Sequence, residues 1–154
     1  MARRFFSDKD VNTFSTINKE LMGKVVGTNC IIYKISSEET QINVYGESTG
    51  LGKIYNPGVQ LDCFIESADF DWNTDDFGPD AQQATTFSFL RNNLIEKSVL
   101  IEVGDIIEWN YAYFEVDSIN ENKLIGGNVD QNWDVVAETH LTRQSKLNIV
   151  ERNR

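Results

Sequence analysis

Oxygen-bearing side chains recur at every second position in one stretch of this chain: Asp69, Asp71, Asn73 and Asp75, within Asp69-Phe70-Asp71-Trp72-Asn73-Thr74-Asp75-Asp76-Phe77-Gly78-Pro79-Asp80. A calcium loop uses this spacing, because alternate carboxylates and amides can converge on a hard cation. The match is incomplete. Thr74 stands where the sharp turn needs glycine, the twelfth residue is Asp80 rather than glutamate, and no helix pair flanks the stretch. The segment therefore reads as an acidic loop facing solvent or a partner, with no metal site.

The other reactive residues are few. His140 is the single histidine. It falls on a predicted strand, without the nucleophile and acid that a triad needs or the cysteine pairs of a zinc site. A hydrogen-bonded strand histidine is expected there. Cys30 and Cys63 have no motif spacing and read as buried thiols in a reducing compartment. Gly50-Leu51-Gly52-Lys53 lacks the spacing of a phosphate-cradling loop, and no βα unit surrounds it. Acidic residues are plentiful enough for a glycosidase-like carboxylate pair. The chain is short, however, and has no long insertion to wall a cleft. No cofactor-binding motif is present.

Charge sets a second bound. The 154 residues carry a net charge of −10. Residues 1–4 hold +2 and residues 143–154 hold +3, which leaves −15 on residues 5–142. An acidic body with basic ends repels nucleic-acid phosphates over most of its surface. It also counts against a nucleic-acid-binding barrel, which the aromatic strands would otherwise suggest. No run of 18 apolar residues occurs, so no membrane-spanning helix is expected. Met1-Ala2-Arg3-Arg4-Phe5-Phe6 begins like a signal peptide, but Ser7-Asp8-Lys9-Asp10 ends the apolar run too early for one.

The elements follow from periodicity. Residues 1–6 read as an extended arm. A helix is predicted over 8–22, capped by Ser7 or Asp8 and ended by Gly23, with Val11, Phe14, Ile17 and Leu21 on one packing face. Val25 to Ile35 reads as a strand, Ser36 to Thr40 as a turn, Ile42 to Tyr45 as its returning partner, and Gly46 to Gly58 as a loop. Val59, Leu61, Cys63 and Ile65 alternate along a strand to Ser67. Ala84 to Arg91 is a strand with Phe87 and Phe89 inward, followed by a helical turn over 92–97. Gly104-Asp105 turns into a strand over 106–109, Asn110-Tyr111 forms a hairpin tip, and Ala112 to Ile119 returns with Phe114 and Val116 on one face. Lys123 to Ile125 reads as a further short strand and Trp133 to Thr142 as the last long one. The basic tail 143–154 has strand-like character at 147–150. The fold class is mainly β, a barrel or sandwich of about seven to nine strands in one domain, with one N-terminal helix and extended terminal arms.

Several stretches in order resemble the neck (head-completion) proteins of contractile-tailed, myovirus-type bacteriophages. They are Phe5-Phe6-Ser7-Asp8, Ile17-Asn18-Lys19-Glu20-Leu21, Ile32-Tyr33-Lys34-Ile35-Ser36, Tyr45-Gly46-Glu47-Ser48, Asp75-Asp76-Phe77-Gly78-Pro79-Asp80, Phe87-Ser88-Phe89-Leu90-Arg91, Gly104-Asp105-Ile106-Ile107-Glu108-Trp109 and His140-Leu141-Thr142-Arg143. The match departs at the hairpin tip, Asn110-Tyr111-Ala112. The resemblance implies a non-enzymatic virion protein, made in the host cytoplasm, that closes the portal vertex after DNA packaging and gives the tail its docking surface. It implies a ring of identical copies, expected as a hexamer, between portal- or adaptor-side and tail-terminator-side virion proteins. Genomic DNA would pass through the lumen without sequence-specific binding, and no membrane would be involved. Arg3, Arg4, Phe5, Phe6, Arg143 and Lys146 are the expected subunit contacts. A tail-tube, tail-terminator or baseplate component is the alternative within virions. Outside them it is a small β-barrel binding module or a carboxylate-dependent hydrolase.

Overall fold

In the computed structural model the chain is described over residues 7–36, 53–67, 71–75, 78–121, 132–143, 147 and 149. Helix α1 (Asp8–Glu20) begins at a capping box. The Ser7 side chain accepts from the Asp10 backbone while the Asp10 carboxylate accepts from the Ser7 backbone N–H. The helix does not stop at Gly23. It widens into a π-helical segment, Leu21–Val26, and ends at Gly27 in the left-handed conformation. The strand predicted from Val25 is correspondingly shorter: β1 is Asn29–Tyr33, and Ile35 makes only a single bridge to Tyr55.

β2 (Val59–Asp62) and β3 (Phe64–Ser67) are the two halves of the predicted alternating strand, separated by Cys63. They are followed by β4 (Asp71–Asp75), β5 (Gly78–Gln82), β6 (Ala84–Leu90), α2 (Arg91–Glu96), β7 (Ile106–Trp109), β8 (Ala112–Asn120) and β9 (Asp134–Thr142). Seven strands form one antiparallel sheet in the order β2-β1-β7-β8-β9-β6-β3. Its two edges are β2 and β3, which one residue joins. The sheet therefore closes on itself as a six-stranded antiparallel barrel, with the bent 59–67 strand shared between β1 on one side and β6 on the other. Each half of the shared strand is hydrogen-bonded on one side, β2 to β1 and β3 to β6.

Alternation fills the interior. Cys30, Ile32, Leu61, Cys63, Phe87, Phe89, Ile107, Phe114, Val116, Val135 and Ala137 form the core. Phe87 is its centre, 5.7 Å from Phe114 and 6.3 Å from Trp109 between ring centroids, both edge-on. The connection from β6 to β7 crosses between non-adjacent strands through α2. Leu94, Val99 and Ile101 from this connection join the core and close one end of the barrel. Two backbone details hold the meander. Asn110 and Tyr111 both have positive φ, 49° and 63°, as a two-residue hairpin that matches strand twist requires. Asp105, 1% exposed, accepts from the backbone N–H groups of Ile35 and Glu102, which ties the start of β7 to the end of β1.

The acidic stretch is a β-hairpin rather than a loop: β4 pairs with β5 from Asp71↔Gln82 to Asp75↔Gly78. The predicted strands at 42–45 and 123–125 lie outside the described residues. In the tail, Leu147 and Ile149 belong to no strand.

Candidate interaction surface

The residues with chemical potential do not converge. His140 Nδ1 lies 2.8 Å from the Asp117 carboxylate. Asp117 is the extra residue of a β-bulge, skipped between Val116↔Thr139 and Ser118↔Glu138, and the bulge re-aims it across to β9. Sequence spacing could not show this partner, because it depends on the register slip. Both side chains are about half exposed, and among the described residues no hydroxyl or thiol is hydrogen-bonded to the imidazole. Among the described residues no group of three or more His, Cys, Asp and Glu side chains could hold a metal ion. The backbone of residues 71–75 is extended and paired along β5, unlike the coiled backbone of a calcium loop. Cys30 and Cys63 are buried free thiols, and the neighbouring Cys63 thiol together with burial pushes the Cys30 thiol upward. Lys53, from the glycine-rich stretch, pairs with Glu115 at 2.8 Å.

The departure from an ordinary surface is on α1. Phe14, Ile17, Leu21 and Val25 follow one another at helical spacing and remain 49%, 53%, 49% and 74% exposed. The sequence pattern marked Phe14, Ile17 and Leu21 for packing, but the barrel meets a different edge of the helix. Met22 is buried, Asn92 donates to Ser15 Oγ at 2.5 Å, Lys19 pairs with Glu96, and Phe14 touches Trp133 with one ring edge. The Lys19–Glu96 pair is solvent-exposed on both sides and contributes at most about 1 kcal/mol. A continuous apolar stripe is thus turned outward on a helix attached mainly through polar contacts. Soluble monomers seldom leave such a stripe uncovered.

Beside this helix a small open recess of about 240 Å³ lies between α1, α2 and β2, lined by Lys19, Asp62, Asn93 and Glu96 among others. Asn93 is 7% exposed and its Oδ1 has no hydrogen-bond partner among the described residues.

A second apolar feature lies on the outside of the barrel. Tyr33, Ile106 and Tyr113 are buried there, with Ile31, Tyr55, Leu147 and Ile149 packed against them. Tyr33 also donates from its hydroxyl to Glu108 at 2.6 Å. Each partly buried Leu147 or Ile149 side chain contributes less than the ~1.5–3 kcal/mol of full burial.

Of the predicted contact residues, Arg143 is exposed at the end of β9. Arg3, Arg4, Phe5, Phe6 and Lys146 lie outside the described residues. The α1 stripe was legible as a pattern but not as a surface, since periodicity does not tell which side of a helix the core takes.

No protein-family model matches this sequence, and no curated protein is significantly similar to it. Among the described residues no helix is long and apolar enough to cross a membrane.

Proposed function

We propose that this chain is a structural subunit of a bacteriophage neck, assembling as a ring that closes the portal channel and joins head to tail. The outward apolar stripe of α1 carries this reading. Phe14, Ile17, Leu21 and Val25 form a preformed contact surface, and a neighbouring copy of the chain is its proposed occupant. The ordered resemblance to neck proteins supplies the location. The charge distribution agrees with a DNA conduit, because a body of −15 lining a channel lets a phosphate backbone slide without sticking. Arg3, Arg4, Phe5 and Phe6 lead directly into the Ser7 cap of α1, so arm and helix face form one contiguous contact segment in this proposal. Arg143 and Lys146 add contacts from the other end. The subunit performs no catalysis in this reading.

Gold-labelled antibody against the chain, viewed on particles from a lysate by electron microscopy, tests the assignment. Label at the head–tail junction is expected. Label along the tail or at its tip would replace the neck by a tube, terminator or baseplate role, and unlabelled particles would refute a virion role. Deletion of residues 1–6 should block head–tail joining and leave the monomer folded. Normal joining in that deletion would remove the arm from the contact set.

A further inference from the structure

Cys30 and Cys63 are the only cysteines of the chain, and the fold brings them together at the joint of the barrel. β1 pairs with β2 through Cys30↔Leu61 and Asn29↔Asp62, and the Cys63 backbone N–H donates to the Thr28 carbonyl at 3.0 Å. Cys63 therefore stands one alternation beyond Leu61, on the inward face that Cys30 shares and diagonal to it. Both side chains lie in the core, 2% and 0% exposed. The Cys63 thiol is the strongest influence on its neighbour: with burial it raises the Cys30 pKa and keeps that thiol protonated. Cys63 is also the one residue between β2 and β3, where the shared strand bends. We propose that Cys30 and Cys63 are a redox-sensitive pair, which a small peroxide converts to a disulfide that ties β1 to the bend and closes the barrel covalently. This chemistry is independent of the ring reading above.

Three observations carry it. First, the placement is specific: both thiols face the same interior from strands that meet at the barrel's joint. Second, the backbone at Cys63 has room to adjust. Diagonal neighbours in a regular ladder stand about 7–8 Å apart, slightly beyond the ~4.4–6.8 Å between Cα atoms that a disulfide spans. Cys63 belongs to neither strand, so a small shift toward β1 leaves the regular pairs of β2 and β3 in place. Third, the two buried thiols are uncharged and inert at rest, so reaction is confined to openings of the joint and is slow. The oxidant must then be small, as hydrogen peroxide is. In such an opening one thiol loses its proton, and the thiolate attacks the peroxide O–O bond. A sulfenic acid forms, and the displaced hydroxide takes up the proton as water. The second sulfur then attacks the sulfenyl sulfur, and the sulfenic oxygen leaves as a second water with the remaining thiol proton. Two thiols are oxidised to one disulfide and one peroxide is reduced to two waters. The new bond encloses residues 31–62, which restricts the unfolded chain more than the folded one.

The test exposes the full reduced chain to hydrogen peroxide at a level that oxidises the chain unfolded in urea. The peroxide is then removed, and the chain is denatured and treated with N-ethylmaleimide. Monomers that take up no maleimide are expected, with dithiothreitol restoring two sites. Proteolysis without reduction should release one pair of peptides joined through Cys30 and Cys63. Two thiols still open to maleimide, a sulfinic acid at either cysteine, or links between chains would overturn the proposal. In a second measurement the oxidised chain should melt roughly 5–10 °C above the reduced one. Cys63→Ala, given the same peroxide, should show no such rise. An unchanged or lowered melting temperature of the oxidised natural chain would also overturn the proposal, because the link would then not fit the folded barrel.

Discussion

Phe14 meets Trp133 edge-on, with ring centroids 6.4 Å apart and planes at 79°, and yet keeps 49% of its surface exposed. The ring contact helps to seat the helix, while Ile17 and Leu21 on the same face remain about half exposed. Ile17→Asp and Leu21→Asp therefore remove surface the fold does not use. Each should change unfolding stability by no more than about 0.5 kcal/mol. Each should weaken assembly at least tenfold, the equivalent of ~1.4 kcal/mol. Thermal melting and sedimentation on the same samples check both halves.

Gly58 lies against the outer apolar floor. A Cβ there would overlap Ile31 Cγ2 and come within 2.7 Å of Tyr33 Cε1. Gly58→Ala should destabilise the protein by about 1–3 kcal/mol through overpacking. Denaturant titration would read this, and an unchanged midpoint would show that the tyrosine ring moves freely.

Tyr111 holds φ 63° at the hairpin tip and is 79% exposed. Glycine adopts that conformation without the steric cost a side chain bears. Tyr111→Gly should stabilise the isolated chain by roughly 0.5–1 kcal/mol, measured as a raised melting temperature.

Among the described residues Asp105 is the one buried carboxylate. Burial raises its pKa above the usual 3.8, against the lowering effect of its backbone hydrogen bonds. A raised carboxylate pKa means that its contribution to stability is full below about 3.8 and is lost as pH rises through the raised value. Asp105→Asn abolishes that slope and turns an amide N–H toward a backbone donor, costing about 1–3 kcal/mol. The deficit of the variant relative to the natural chain should be largest at the acid end of a series of melts from pH 3 to 6.

The parts of the fold set by local pattern were readable in advance. Val59, Leu61, Cys63 and Ile65 declare a strand by alternation. The β7–β8 hairpin is bounded by Gly104-Asp105 and by a tip that places two residues at positive φ. Barrel closure was not readable, because it depends on which strands flank the two halves of the strand bent at Cys63. The β4–β5 hairpin was hidden by its composition, since Asp, Asn, Gly and Pro are poor strand formers and only pairing overrides that preference. Gly23 looked like a helix end but does not take the left-handed conformation that ends the helix at Gly27. Of the interaction surface, the α1 spacing was visible and its outward direction was not. The tyrosine floor beneath Leu147 was invisible, because Tyr33 and Tyr113 fall on strand positions that ordinarily face water.

The proposed neck role of the α1 face is tested most directly by the particle content of lysates from phage carrying Ile17→Asp together with Leu21→Asp, with the purified variant shown to melt as the natural chain does. DNA-filled heads and complete tails that remain unjoined under the electron microscope are the expected result. Normal numbers of joined, infectious particles would contradict it, because the outward face of α1 would then have no part in building a neck.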